Sequence, residues 1–267
     1  MQFALPDGYN LNVEEVGSGF PLIVLHGGPG LDHSMFRPYL DPLVDVEQAV
    51  LVAERVDPAT LSLEVFARDV DLLAESLELD GFALLGHSFG AIIATYHATE
   101  LGTAGAYVIS GGGDSSAALD ADVTASLEAL GDNGKAIAQS WEDEKTVETD
   151  AQLMQLLRDQ LPFHFHGQPP SGYIEQTVPS PEVLRHFANA GYGDFDYRPK
   201  LKNVDKPTLV IVGEYDPTTT PRAARVLHDG IPGSELHVVP DAGHLSFVEQ
   251  PDDYLAAVRG FLGRTAK

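Results

Sequence analysis

Short runs of apolar residues alternate along the chain with longer stretches whose apolar positions recur every three or four residues. Pro21 to Leu25, Ala49 to Ala53, Phe82 to Leu85, Gly105 to Ile109, Pro207 to Val212 and Glu235 to Val239 read as strands. Most are apolar almost throughout, which suits strands buried on both faces. Ser62 to Leu79 carries Val65, Phe66, Val70, Leu72, Leu73 and Leu77 at helical spacing, with Ser62 as N-cap. Phe89 to Leu101, Pro221 to His228 and Pro251 to Leu262 also read as helices. The start differs. Gln2 to Leu5, the turn Pro6-Asp7-Gly8 and the alternation from Tyr9 to Val16 predict an antiparallel hairpin.

Strand following helix following strand predicts an α/β fold with a mostly parallel central sheet and helices on both faces, in which sites form at the carboxyl ends of strands. From Gly111 to Lys202 the alternation stops, and helices with Pro-rich loops take over. The expected organisation is a core of residues 1–110 and 203–267 interrupted by a helical cap, 111–202. Ser110-Gly111-Gly112-Gly113 would be the hinge into it, since no G-x-x-x-x-G-K follows to make a phosphate loop.

Composition narrows the partners. With 267 residues, 43% hydrophobic, the chain can close a sizeable core. Against 40 Asp and Glu stand 16 Lys and Arg, a formal net charge of -24. Such a surface repels phosphate backbones and anionic lipid, so neither nucleic acid nor membrane is expected as a partner. The absence of Cys excludes a thiolate nucleophile, a disulfide framework and Cys-ligated zinc. No apolar run approaches a membrane span and the first residues show no basic-then-apolar pattern, so a soluble cytoplasmic protein is expected; no oligomeric state is assigned.

The sharpest chemical signal is Gly86-His87-Ser88-Phe89-Gly90, a G-x-S-x-G directly between an expected strand and an expected helix. In so tight a turn the serine is strained and its hydroxyl exposed, and the glycines remove side chains that would collide with it. A serine hydroxyl needs a base, and the base an orienting carboxylate. Asp216 follows the strand ending at Val212, and His244 follows the strand ending at Val239, so both share the sheet edge of Ser88. Glu214 and Asp241 lie close by in sequence, and the spacing favours Asp216. An oxyanion hole would come from the N–H groups of Phe89 and Gly28, with Gly27 as alternative, in the loop His26-Gly27-Gly28-Pro29-Gly30. His26 is assigned to bracing that loop.

Together HGGPG, GHSFG, GEYD and DAGH resemble the proline iminopeptidase branch of the α/β-hydrolases over nearly the whole chain except the cap. The segment from Thr208 through His244, with GSELHV at Gly233 to Val238, is similar to the tricorn-associated aminopeptidases of that branch. The resemblance implies an α/β-hydrolase fold and removal of an N-terminal residue, often proline, from short peptides. No cofactor or metal is implied. Ser88 would attack, His244 would carry the proton and Asp216 would orient the imidazole. It also implies glutamates for the substrate's ammonium group. The family commonly has one directly after the catalytic aspartate, where this chain has Pro217, and another in the cap, for which Glu175 and Glu182 are the candidates. The family loop D-x-R-G-x-G-x-S corresponds here to the shorter Glu54 to Ala59.

These departures keep a second expectation open, a carboxylesterase or lactonase acting on small acyl groups; a non-catalytic ligand receptor on the same fold ranks last. Ser88 in place of a carboxylate excludes a haloalkane dehalogenase. Phe163-His164-Phe165-His166 reads as an aromatic pocket wall rather than a metal pair, Trp141 as a packing residue within the cap, and Leu153, Leu156, Leu157 and Leu161 as core.

Overall fold

The expected strands form β1 (Gln2–Ala4), β2 (Asn10–Gly17), β3 (Phe20–Leu25), β4 (Glu47–Val52), β5 (Ala83–His87), β6 (Ala106–Ser110), β7 (Thr208–Gly213) and β8 (Glu235–Val239) in a computed structural model describing residues 2–45, 47–52 and 60–265. They join in one sheet of order β1-β2-β4-β3-β5-β6-β7-β8. β1 pairs with β2 and β2 with β4 antiparallel, and every pairing from β4 through β8 is parallel. The Glu54 to Ala59 loop lies outside the described residues.

Apolar runs become strands covered on both sides because successive side chains point to opposite faces. Ile23, Leu25, Leu84, Ile109 and Val210 enter one buried cluster, whereas Leu22, Val24, Leu85, Val108 and Ile211 enter the other. On the first face lie α1 (Leu63–Ser76) and α2 (Phe89–Glu100). Ser62 caps α1 by accepting from the Val65 N–H at 3.2 Å, and Leu63, Phe66, Val70 and Leu73 turn its apolar stripe inward. α2 buries side chains almost all round, as a helix must when it is enclosed by sheet and by other helices.

Between β6 and β7 the chain forms α3 (Ser116–Ala129), α4 (Asp132–Glu144), α5 (Asp150–His164) and α6 (Pro181–Asn189). Thr149 and Gln152 start α5 with a reciprocal capping box. The chain then returns to β7, followed by α7 (Pro221–Gly230), β8, the short α8 (Ser246–Glu249) and α9 (Pro251–Thr265). α9 covers the second face with Tyr254, Leu255, Val258, Phe261 and Leu262. Arg222 on α7 ties the inserted helices down, donating to the buried Asp114 at 2.9 Å and to Asp122 of α3 at 2.8 Å. Among the described residues no helix is long and apolar enough to cross a membrane.

Two helical glycines should respond oppositely to alanine. A Cβ on Gly90 would sit 2.3 Å from the Leu25 carbonyl oxygen, so α2 could not keep its approach to β3, and Gly90→Ala is expected to cost at least about 2–4 kcal/mol. On Gly260, exposed in α9, a Cβ meets only the tip of Arg264 at 3.6 Å, and Gly260→Ala should add about 0.5–1 kcal/mol. Urea denaturation midpoints check both.

Candidate active site

Ser88 sits between the end of β5 and the first residue of α2 with φ 55 and ψ -116, in the left-handed half of backbone space. A non-glycine residue held there costs on the order of 1–3 kcal/mol, which the surrounding packing must sustain. That packing is explicit: a Cβ on Gly86 would lie 2.1 Å from the Gly90 carbonyl oxygen, so the turn can close only between two glycines. Ser88 N–H donates to the Ser110 carbonyl at 2.9 Å and Gly90 N–H to the His26 carbonyl at 3.0 Å, fastening the turn to its neighbours.

Ser88 Oγ donates to His244 Nε2 at 2.8 Å, and His244 Nδ1 donates to Asp216 Oδ2 at 2.8 Å. Three loops far apart in sequence therefore meet in one hydrogen-bonded line. Asp216 is 3% exposed, and burial alone would push its carboxyl up. The facing His244, with donors from Thr219 and Thr218, overcomes that and holds it well below the usual carboxylate range. Thr219 Oγ1 donates to Oδ2 at 2.7 Å, while the N–H groups of Thr218 and Thr219 both donate to Oδ1 at 2.9 Å. Glu214 and Asp241 are exposed, and Glu214 instead accepts from the Asp241 N–H at 3.3 Å.

Gly28 and Phe89 both line the same cavity as Ser88 and His244. Phe89 opens α2, so its N–H has no acceptor within the helix. The Gly27 N–H donates to Met35 Sδ at 3.2 Å. His26 is buried, and its Nδ1 donates to the Gly27 carbonyl at 2.7 Å, bracing the loop.

The cavity has a volume of about 620 Å³ and runs from Ser88 up between α3, α4 and α5. Neither Glu175 nor Glu182 lines it, contrary to the expectation from sequence. Glu175 is exposed and pairs with Arg158 at 3.1 Å, and Glu182 is exposed in the first turn of α6. Pro217 is not part of the lining either. The acidic residues that do reach the cavity are Asp120, Glu142 and Glu144. Asp120 and Glu142 are exposed, and Glu142 is held by Lys145 at 2.7 Å.

Glu144 is different. It is 3% exposed, accepts from Gln160 Nε2 at 2.8 Å and from the Tyr192 hydroxyl, and all three residues line the cavity. Burial raises its carboxyl to about 7 despite those two donors. The signal for it was present in the sequence: position 144 follows Trp141 by three on α4, which puts a carboxylate on the stripe that Trp141 turns inward. Trp141 also lines the cavity, packing edge-on against Phe163 with ring centroids 5.3 Å apart, and Leu157 and Leu161 line it as well, whereas Leu153 is core. His164 supplies an aromatic wall, its ring 5.4 Å from that of His244; burial and the neighbouring His244 lower its pKa to about 3, so it stays neutral.

Residues 22–258 match the model of the alpha/beta hydrolase family. A proline iminopeptidase of Heyndrickxia coagulans is 26% identical over 271 aligned residues, 93% of this chain and 92% of that one. One from Saccharolobus solfataricus is 27% identical, covering 97% and 96%. Among solved structures, an esterase from Exiguobacterium antarcticum superposes with a TM-score of 0.80 at 21% identity over 98% of both chains. A proline iminopeptidase from Mycobacterium smegmatis does so at 0.77 and 20% identity, over 100% and 99%. At such identities the structural likeness carries the fold and not the substrate.

A carboxyl raised from 4.5 to about 7 binds its proton more tightly folded than unfolded. Its favourable contribution is therefore full below pH 4.5 and is lost as pH rises to about 7. Glu144→Gln should then be more stable than the parent at pH 8, by on the order of 2–3 kcal/mol, and the difference should vanish near pH 4. Urea titrations at the two pH values measure it.

Proposed function

The chain belongs to the alpha/beta hydrolase family, and from that premise we propose that it is a serine hydrolase that opens amide or ester bonds through an acyl-enzyme and prefers a small acyl group bearing a free amine, as at the N-terminus of a short peptide. The observation that carries this reading is the unbroken line Ser88, His244, Asp216 opening onto a cavity whose buried carboxylate is Glu144.

In the proposed mechanism His244 Nε2 takes the proton as Ser88 Oγ attacks the carbonyl carbon. The resulting oxyanion is held by the N–H groups of Gly28 and Phe89 and by the positive end of α2. Asp216 keeps the imidazole in the tautomer with its proton on Nδ1 and stabilises the imidazolium. That proton then passes to the leaving amine or alcohol. Water, deprotonated by the same imidazole, releases the acyl group and restores Ser88. The helices between β6 and β7, residues 111–202 in our division of the chain, act as the cap that closes the cavity over the substrate. No cofactor takes part, and the acidic surface disfavours nucleic acid and anionic membranes as partners. A cytoplasmic location belongs to the proposal.

Preference for an amine follows from electrostatics. An ionised carboxylate buried without a cationic partner is costly, which is why Glu144 takes up a proton so readily, and an ammonium group entering the cavity relieves that cost. The substrate class inherited from the relatives is thereby retained with a different carboxylate from the two expected. A carboxylesterase or lactonase is the second reading; it is favoured by the Gln160 and Tyr192 hydrogen bonds that already occupy both oxygens of Glu144.

Steady-state kinetics on paired substrates, prolyl and alanyl 4-nitroanilides beside 4-nitrophenyl acetate and butyrate, separate the two. Ser88→Ala should abolish all turnover. Glu144→Gln should raise KM for the aminoacyl anilides about 10–100-fold and leave the esters within about threefold. Because protonated Glu144 cannot pair with an ammonium, KM for the anilides should rise as pH falls below about 7, with no such trend for the esters. Ester turnover without any anilide turnover would establish the second reading.

A further inference from the structure

Where α5 ends, residues His164 to Gly167 run against the loop that carries His244, and the contact is made by backbone. His244 N–H donates to the His164 carbonyl at 2.8 Å. There is no slack between the two segments, since a Cβ on Gly243 would lie 2.7 Å from both the His164 carbonyl oxygen and the His166 nitrogen. Next to this contact stands Glu249, the last residue of α8, half-buried and outside the machinery described above. Its Oε2 accepts from the Gly243 N–H at 2.6 Å and the His166 N–H at 3.3 Å, and its Oε1 from the Gly167 N–H at 2.7 Å. One carboxylate thus gathers three backbone donors, one from the residue preceding His244 and two from the cap. On the outer side, the His166 ring stacks on Tyr215 of the loop carrying Asp216, centroids 4.0 Å apart and planes 12° apart.

We propose that Glu249 is a positioning residue: it locks the His244 loop to the cap segment His164 to Gly167 and so keeps the imidazole aligned with Ser88 and Asp216. Backbone N–H groups cannot bond to one another, so without an acceptor between them these donors would give nothing to join the two segments across their boundary. A carboxylate serving three of them, two at 2.7 Å or less, makes bonds that neither segment could supply itself. The His244 side chain must meet two partners at once, and a displacement of about 1 Å at such a site costs on the order of a hundredfold in rate. The same clamp makes the cap part of the catalytic framework, because a shift of its α5 end is delivered directly to the peptide before His244.

The inference rests on the proposed chemistry of Ser88, so its test needs no knowledge of the substrate. Diethyl 4-nitrophenyl phosphate forms a Ser88 Oγ–P bond and releases one 4-nitrophenolate per competent site, the serine proton passing to His244. Burst amplitude counts sites and burst rate reports their alignment. Glu249→Ala should react about 10–100-fold more slowly with an undiminished amplitude per folded molecule, and its downfield His244 Nδ1–H proton resonance should broaden or disappear. Glu249→Gln keeps an oxygen that can accept from Gly243 and His166, and should stay within about threefold of the parent. Should the alanine variant not fold, Glu249→Asp, too short to span both segments, should be slower than the glutamine variant. A parental burst rate and proton resonance in the alanine or aspartate variant would overturn the inference, as would a loss confined to amplitude. Failure of the parent protein itself to react would instead overturn the assignment of Ser88.

Discussion

The strained backbone of Ser88 is the constraint from which the rest of the site follows. Its φ of 55 exists only because β5 and α2 meet without an intervening loop, and that junction is possible only while Gly86 and Gly90 present no side chains to each other or to β3. The strain lifts the hydroxyl off the sheet edge and leaves the first N–H of α2 free beside it. The serine hydroxyl and a free helix N-terminal N–H are therefore brought side by side by one turn. The inward packing of Phe89 against Phe66 and Phe187 anchors the helix that imposes it.

Around this turn the charges are arranged by burial. Asp216 remains ionised deep in the protein because three residues donate to it, two of them from its own loop, whereas Glu144 has only two donors and is pushed up to about 7. The two carboxyls are comparably buried, at 3% exposure each, so it is the facing His244, by its charge first and with the hydrogen-bond donors after it, that separates a lasting anion from a titratable acid. His87 and His164 flank His244 and are both held neutral by burial and by its charge. Both rings therefore pack against His244 as uncharged neighbours.

The inserted helices are joined to the core at more than one point, and the joints differ in kind. Arg222 bridges Asp114 and Asp122 near the start of the insertion, an ionic tie partly open to solvent. At the end of α5 the tie is a backbone contact organised by Glu249 beside His244. The second lies directly beside His244 and leaves no slack, since a Cβ on Gly243 would lie 2.7 Å from the His164 carbonyl oxygen.

Much of this could be read along the chain. Apolar runs and helical spacing located the strands, α1, α2 and α9 with ends shifted by up to three residues, because burial on both faces leaves a local mark on composition. The positions of Ser88, Asp216 and His244 at strand ends were likewise legible, since the parallel topology puts those ends on one edge. The identity of the acid facing the cavity was not. Glu175, Glu182 and Glu144 are alike as letters, and which of them leaves water depends on how α4, α5 and α6 pack over the core, a matter of side-chain fit between segments distant in sequence. The role of Glu249 was hidden for the same reason: its partners are backbone N–H groups, which every residue but proline possesses and which become distinctive only when tertiary structure brings three of them to one carboxylate.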